Sequence, residues 1–238
     1  MSAPNPSPIV SGTVVAWDGP TRVFKWALVA LVFMGWLSNA IGGATPNWHK
    51  WNGYAVLILI VFRLLWGVVG GASARFSLFV RGPGAAIAYA RGLISGAGAR
   101  YLGHNPLGAW MVVALLIVIA LQGVTGLYSA DEDRLIISGP LAKTVSDAAV
   151  SFASRWHHKF FDLLQVLIAV HVGAALFYQY VKKDRLITAM TRGVKPREPY
   201  IDLQETSGGG WGLAAVCLVC ATAVVLGAIL LLERVPAA

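Results

Sequence analysis

Charged residues are scarce in this chain of 238 residues. Asp, Glu, Lys and Arg make up 13% of it, and only 11 residues are acidic against 19 Lys and Arg. Together with 57% hydrophobic residues and a mean hydropathy of +0.66, this low charge excludes an ordinary water-soluble domain. The composition therefore indicates an integral membrane protein.

Two local features are also missing. Ala221 follows the pair Cys217 and Cys220 at the position where covalent attachment of a c-type haem requires histidine, so that chemistry is not indicated. The first twenty residues have no positively charged region ahead of an apolar core, which is what a cleaved signal peptide needs. We therefore expect the first apolar segment to stay in the membrane.

Long apolar runs are what the chain has in abundance. Five of them reach the length of about 20 residues that a helix needs to cross a bilayer, and they are too long for single strands. Polar or Gly/Pro-rich joints separate them. The predicted fold class is an all-α integral membrane protein. The runs cover residues 23–41, 48–70, 106–128, 156–181 and 211–232.

Basic residues predict how the chain lies in the membrane. Short loops rich in Lys and Arg stay on the cytoplasmic side, which places the amino terminus inside and the carboxyl terminus outside. The net charge of +8 is thus a topology signal, and nucleic-acid binding is a poor interpretation of it. The residues at the inner level are Arg22, Lys25, Arg75, Arg81, Arg91, Arg100, Lys182, Lys183, Arg185, Arg192, Lys195 and Arg197.

The loop predicted over residues 129–154 is acidic by contrast. It is long enough to cap the outer face, where a partner could dock. Its acidic residues are Asp131, Glu132, Asp133 and Asp147.

Two histidines in the fourth run carry the chemical signal. His157 and His171 are fourteen residues apart. At about 1.5 Å rise and about 100° per residue, they project from nearly the same helix face roughly 21 Å apart, one near each bilayer surface. Ionisable residues inside a membrane indicate function, and this stacking favours axial ligands for two haems, with snorkelling or hydrogen-bonded histidines as the alternative.

His49 supplies a partner at the outer level. It stands at the outer end of the second run, at the depth of His157, so the two imidazoles could hold one iron. Gly53 follows one turn later on the same face and would let a flat macrocycle approach the backbone. An interfacial role for His49 is the alternative. His158 points about 100° away from His157 and is better suited to form a hydrogen bond with a propionate or a quinone than to bind iron.

The inner level has no matching histidine in the first run. Lys25 occupies the expected level, and Arg63 lies fourteen residues after His49 on the same face. Burial and a like charge would both make it easier for a lysine amine to lose its proton and bind iron. Lys25 could instead snorkel to the headgroups, and Arg63 could instead pair with haem propionates.

Several motifs spread over most of the chain are together similar to those of the bacterial di-haem cytochrome b561 and nickel–iron hydrogenase cytochrome b subunit family. The motifs are Val15-Ala16-Trp17-Asp18 with Arg22, Trp48-His49-Lys50-Trp51-Asn52-Gly53-Tyr54, Phe62-Arg63-Leu64-Leu65-Trp66-Gly67, Arg81-Gly82-Pro83, Tyr101-Leu102-Gly103-His104-Asn105-Pro106-Leu107-Gly108, and His157 through His171.

The resemblance implies four transmembrane helices that hold two b-type haems. His49 would pair with His157, and His171 would pair with the residue that precedes a Trp in the first helix. That residue is Lys25 here, where the family usually has histidine. Lysine ligation, a five-coordinate haem on His171 alone and no inner haem all stay open.

The resemblance implies a bacterial inner-membrane protein organised in four parts. A cytoplasmic segment (1–22), which includes Arg22 as an expected cofactor contact, precedes the four-helix cytochrome core (23–181). A cytoplasmic linker (182–210) and a fifth membrane helix with an outer tail (211–238) follow. The fifth helix exceeds the family's minimal four and favours a complex with a periplasmic c-type cytochrome or another redox subunit.

The resulting hypothesis is that the protein transfers electrons between a quinone and that partner. It would do so as a subunit of an oxidoreductase rather than as a stand-alone enzyme. An amphipathic helix over residues 83–96 could form the floor of the quinone site, and His104 could assist its protonation. The alternatives are a superoxide:ubiquinone oxidoreductase, a haem protein with an open inner site, and a haem-free scaffold or transporter.

Overall fold

The computed structural model describes residues 12–41, 46–96, 99–130, 138–202 and 209–234. Five helices in it are long and apolar enough to cross a membrane, which confirms the predicted fold class. In chain order the elements are β1 (Thr13–Val15), α1 (Gly19–Ile41), α2 (Pro46–Val69), α3 (Phe76–Phe79), α4 (Pro83–Ile94), α5 (Pro106–Tyr128), a 3₁₀ turn (Ala142–Thr144), α6 (Asp147–Leu176) with a π-helical extension (Phe177–Val181), α7 (Leu186–Arg192), β2 (Val194–Pro196) and α8 (Trp211–Leu232).

The largest difference from the predicted boundaries is at the start of α6. The loop predicted over residues 129–154 ends early, because α6 already begins at Asp147. The Ala-rich stretch after Ser146 favours a helix, and Asp147 in its first turn complements the helix dipole. The acidic residues 131–133 lie outside the described residues.

The spanning helices pack around one apolar core. Phe62 and Trp66 of α2 stack at 6.0 Å between ring centroids, and Trp66 is fully buried. Small residues let α8 approach α2. One of them, Ala221, is fully buried in the same apolar core as Trp66. Cys217 packs beside it as a buried free thiol. Helix α8 is therefore part of the bundle.

The bundle has two ends that differ in charge. The basic end is where α1, α5 and α8 begin and α2 and α6 end. Its contacts include the bond from the Trp66 indole N–H to the Thr21 hydroxyl at 3.2 Å. The far end is the opposite one, where α1 and α5 end and α2 begins.

A small cap closes the basic end. β1 pairs antiparallel with β2, with Val14 opposite Lys195. Lys195 is 1% exposed, and its ammonium donates to the Asp184 carboxylate at 2.7 Å and to the Tyr101 carbonyl at 3.2 Å. The Asp202 carboxylate accepts the backbone N–H of Leu102 at 2.6 Å. These bonds tie both termini of the core to the loop that precedes α5.

We expect Lys195→Met to lower the free energy of unfolding by about 3 kcal/mol, because it leaves the Asp184 carboxylate without its buried partner. The measurement is thermal denaturation of the purified protein in detergent. Lys183→Met, at an exposed position of the same segment, is the control and should leave the midpoint unchanged. Equal midpoints for both variants would contradict a stabilising role of the Lys195 ion pair.

Candidate functional site

Two histidine rings meet at the far end of the bundle. His49 is in the first turn of α2, and His157 is in the third turn of α6. Their ring centroids are 6.1 Å apart, and the planes are nearly perpendicular at 78°. The structure therefore brings together the two residues that the sequence places at one depth.

Hydrogen bonds fix which nitrogen of His157 carries its proton. Its Nδ1 lies 2.9 Å from the backbone carbonyl of Gln122, and a carbonyl can only accept. Nδ1 is thus the donor, and Nε2 keeps its lone pair. This is the usual orientation of a histidine that binds a metal, with the second nitrogen bonded to a carbonyl. The Gln122 side-chain amide donates to Nε2 at 3.1 Å, so it would have to turn aside for a metal to bind there.

His49 is oriented in the same way by α1. Its Nδ1 lies 3.0 Å from the Ser38 hydroxyl, which itself donates to the Gly35 carbonyl at 2.9 Å. Since the hydroxyl proton points to Gly35, its oxygen accepts from His49 Nδ1. The Nε2 lone pair of His49 is then also available for a ligand.

An open cleft lies beside the two rings. It encloses about 1300 Å³ of empty space, including its open mouth. A Cβ added to Gly53 would meet nothing within 4 Å, so a flat molecule has room against the α2 backbone there. At Gly126 a Cβ would come within 2.9 Å of the His157 ring, so glycine is needed for the close approach of α5 and α6. Apolar side chains that line the cleft include Leu31, Val56, Ile119, Phe161 and Leu164.

This donor set fits a haem better than a bare metal ion. No group of three or more His, Cys, Asp or Glu residues that could hold a metal occurs among the described residues. Two imidazoles in an apolar cleft are enough for haem, because the macrocycle supplies the remaining ligands of its iron. The His49 and His157 pair with the space at Gly53 therefore fits a b-type haem.

His158 lies at the mouth of the same cleft. Its Nδ1 donates to the Ser154 carbonyl at 2.9 Å, and its ring is exposed. The ring stands edge-on to His157 with centroids 6.2 Å apart. It can reach a polar edge of a ligand in the cleft but does not face His49.

A second cluster of nitrogen-bearing side chains occupies the basic end. The Lys25 ammonium lies 3.3 Å from the centroid of the Trp17 ring, a cation–π contact. The Arg63 guanidinium lies 4.4 Å from the Phe76 ring and 5.9 Å from the Phe79 ring. Arg63 is 4% exposed, and its buried Nη1 has no hydrogen-bond partner among the described residues.

His104 is enclosed in this cluster. Its ring lies 4.7 Å from that of Trp17 and 5.2 Å from that of Phe79, between centroids. Burial, and next the positive charges of Lys25 and Arg63, hold the pKa of His104 well below its usual value. The ring is therefore neutral. His171 of α6 also lies within electrostatic reach of Lys25.

Arg22 lies in different surroundings. Its Nη1 donates to the Thr191 carbonyl at 2.7 Å, which joins the start of α1 to α7. Its Nε is buried without a hydrogen-bond partner among the described residues, and the expected cofactor contact of Arg22 stays a prediction.

Sequence reasoning did not single out Ser38 and Gln122. Their side chains or carbonyls orient the two histidines, but each is a single polar residue in an apolar run. Ser38 does stand thirteen residues after Lys25 on α1, at the level of His49, which is the one signal that could have been used. The Gln122 contact is made by a backbone carbonyl, which leaves no trace in the sequence.

One protein family is similar to most of this chain. The family model described as prokaryotic cytochrome b561 matches residues 16–193, a range that includes four of the five spanning helices and leaves out α8. No curated protein and no solved structure is matched by the chain. The matched region contains both the His49–His157 cleft and the cluster around Lys25. The chain belongs to the prokaryotic cytochrome b561 family, which consists of membrane b-type cytochromes of electron transfer.

Proposed function

We propose that this protein carries electrons across the inner membrane between a quinone and a redox partner at the far end, through two b-type haems. The observation that supports it most is the His49–His157 pair beside an open apolar cleft. Each imidazole keeps an Nε2 lone pair that could bind one iron, that of His157 once the Gln122 amide turns aside. One haem would lie there. The second would lie between Lys25 and His171 at the basic end.

The protein's part at the far end is to orient and to exclude water. The Gln122 carbonyl and the Ser38 hydroxyl hold both imidazoles with Nδ1 protonated, so that no proton has to move when iron binds. The apolar wall of the cleft keeps the dielectric low. A haem bound there would supply a reversible one-electron change at its iron, so the two electrons of a quinone and quinol couple would pass one at a time and its protons would exchange with water at the membrane surface.

At the basic end the ligand would differ. A lysine amine binds iron only after it loses its proton, and Lys25 would then leave the Trp17 face, because the cation–π contact needs the ammonium. The buried Nη1 of Arg63 has no partner among the described residues and is suited to a haem propionate. That arrangement would compensate the guanidinium charge in the apolar interior.

The membrane orientation is part of the proposal. The concentration of Lys and Arg at the basic end favours a cytoplasmic location for that end and for the amino terminus. The far end then faces the periplasm, where a c-type cytochrome or another redox subunit would exchange electrons at the His158 mouth of the cleft. In such a complex the chain acts as the electron-transfer subunit.

A substitution at Gly53 tests the far-end haem site. We expect Gly53→Leu to fold as the wild type does, since a Cβ at this position meets nothing within 4 Å, but to lose about one haem per chain because the rest of the leucine side chain enters the cleft. The measurement is haem content by pyridine haemochromogen on purified protein. Gly227→Leu in α8 is the matched control, because a Cβ there also meets nothing within 4 Å. Wild-type haem content in Gly53→Leu would contradict the proposed site.

A further inference from the structure

The outward side of α6 carries two charged residues inside the membrane. Lys159 and Asp162 both lie within the apolar run 156–181, and Asp162 is six residues, or about 9 Å, from the start of that run. The opposite side of the helix faces the protein, since Phe161 lines the cleft and Leu164 is only 2% exposed. The two charged side chains are exposed and therefore directed away from the bundle.

The carboxylate of Asp162 makes no hydrogen bond or ion pair within the described part of the chain. Lys159 stands three residues earlier on the same helix and could reach it. Its ammonium instead lies over the Trp156 ring, 5.2 Å from the ring centroid. Carboxylates inside a membrane are rare, and they almost always pair with another group or face a water-filled cavity. This part of the α6 surface is thus incomplete within one chain.

The two charged residues belong to a stripe with the spacing of a helix–helix interface. We define this outer face of α6 by five exposed residues, which are Lys159, Asp162, Val166, Ala169 and Gly173. The steps between them alternate between three and four residues, as in a coiled coil. Ala169 and Gly173 are small, and a Cβ added to Gly173 meets nothing within 4 Å. Small residues at such positions let a second helix approach closely inside a membrane.

We propose that the outer face of α6 binds the same face of a second copy of this chain, in a parallel pair related by a two-fold axis along the membrane normal. The face carries both members of an ion pair, so it is complementary to itself, as a two-fold interface requires. Lys159 and Asp162 differ by about 4.5 Å along the helix axis, which a lysine side chain can span. Each Lys159 would pair with the Asp162 of the other copy, and Ala169 and Gly173 would let the backbones meet.

This pairing leaves the candidate cofactor site untouched. On α6 the His157 side chain projects about 140° away from that of Asp162, and neither Lys159 nor Asp162 lines the cleft beside His157. The inference therefore goes beyond the proposed function and does not depend on the number of haems or on the quinone.

The test exchanges charges between two copies of the full chain that carry different affinity tags. The wild type is expected to be a dimer in mild detergent, with twice the protein mass of 25.3 kDa by multi-angle light scattering. Lys159→Asp makes the outer face doubly acidic, and Asp162→Lys makes it doubly basic. Each variant alone should dimerise with a dissociation constant raised at least about tenfold, because like charges meet. Coexpressed, the two variants should copurify as a mixed dimer, because both reciprocal ion pairs can then form.

Asp147→Lys is the matched control, because it makes the same change of charge at an exposed position of α6 ahead of the apolar run, and it should dimerise as the wild type does. Equal dimerisation of Lys159→Asp, Asp162→Lys and the wild type would place the interface elsewhere and overturn the inference. A monomeric wild type would overturn it as well. If that monomer copurified with another membrane protein that Asp162→Lys releases, the face would serve a different helix. Unchanged circular dichroism in every variant shows that the helices are intact.

Discussion

Replacement of His157 by Ala is expected to remove the far-end haem and so reduce the haem content by about one per chain. The Gln122 carbonyl holds His157 with its Nε2 unprotonated, and His49 alone would leave the iron with an incomplete axial pair. His49→Ala should have the same effect. The measurement is haem content together with low-temperature electron paramagnetic resonance of the oxidised protein.

Two further samples show whether His157 acts as a ligand or only as a packing residue. His158→Ala removes a neighbouring imidazole that is exposed and bonded to Ser154, and it should keep the full haem content. Imidazole added to His157→Ala should fill the gap and restore the low-spin signal, because the rest of the cleft is unchanged. Full haem content in both His49→Ala and His157→Ala would refute the pairing.

Lys25→Ala is the second substitution with a large expected effect. It should lower the haem content from about two to about one per chain and remove one paramagnetic signal, because His171 would lose its axial partner. Lys25→His introduces the histidine that the family resemblance implies at this position, and it should keep both haems with one signal altered. Optical spectra of the reduced samples would follow the same change.

Trp17→Phe provides the control for this second experiment. It keeps an aromatic ring under Lys25 and leaves the ligand itself in place, so the haem content should not change. If the wild type contains one haem and Lys25→Ala leaves it unaffected, Lys25 is held as a cation on Trp17. The basic end then carries no lysine-bound haem.

The helices and their order could be predicted closely because each span is encoded locally. A run of about 20 apolar residues has to satisfy its backbone hydrogen bonds internally, so it becomes a helix wherever it lies in the bilayer. The prediction placed the start of the fourth run at residue 156, nine residues after α6 begins at Asp147. The first two turns of that helix are Ala-rich and not strongly apolar. Hydropathy does not register such turns.

The candidate site could be predicted only in part. Helical periodicity gives the depth of His49, His157 and His171, because rise and rotation per residue are constant along a helix. Whether Lys25 binds iron stays a prediction, since its Trp17 contact depends on how the chain before α1 folds back. The hydrogen bond between Tyr89 and Tyr178 joins residues 89 positions apart and has no counterpart in any local pattern.

The sequence by itself thus determined the membrane location, the five spans, the family and the depth of the histidines, all of which follow from composition, periodicity and local motifs. Only the tertiary structure decided which nitrogen of each histidine carries the proton, where the cleft beside His49 and His157 opens, and which of the polar residues at the basic end meet. The reason is physical, because these features depend on the rotation of one helix against another. In a membrane that rotation is set by packing between helices, whose apolar faces are as compatible with lipid as with each other.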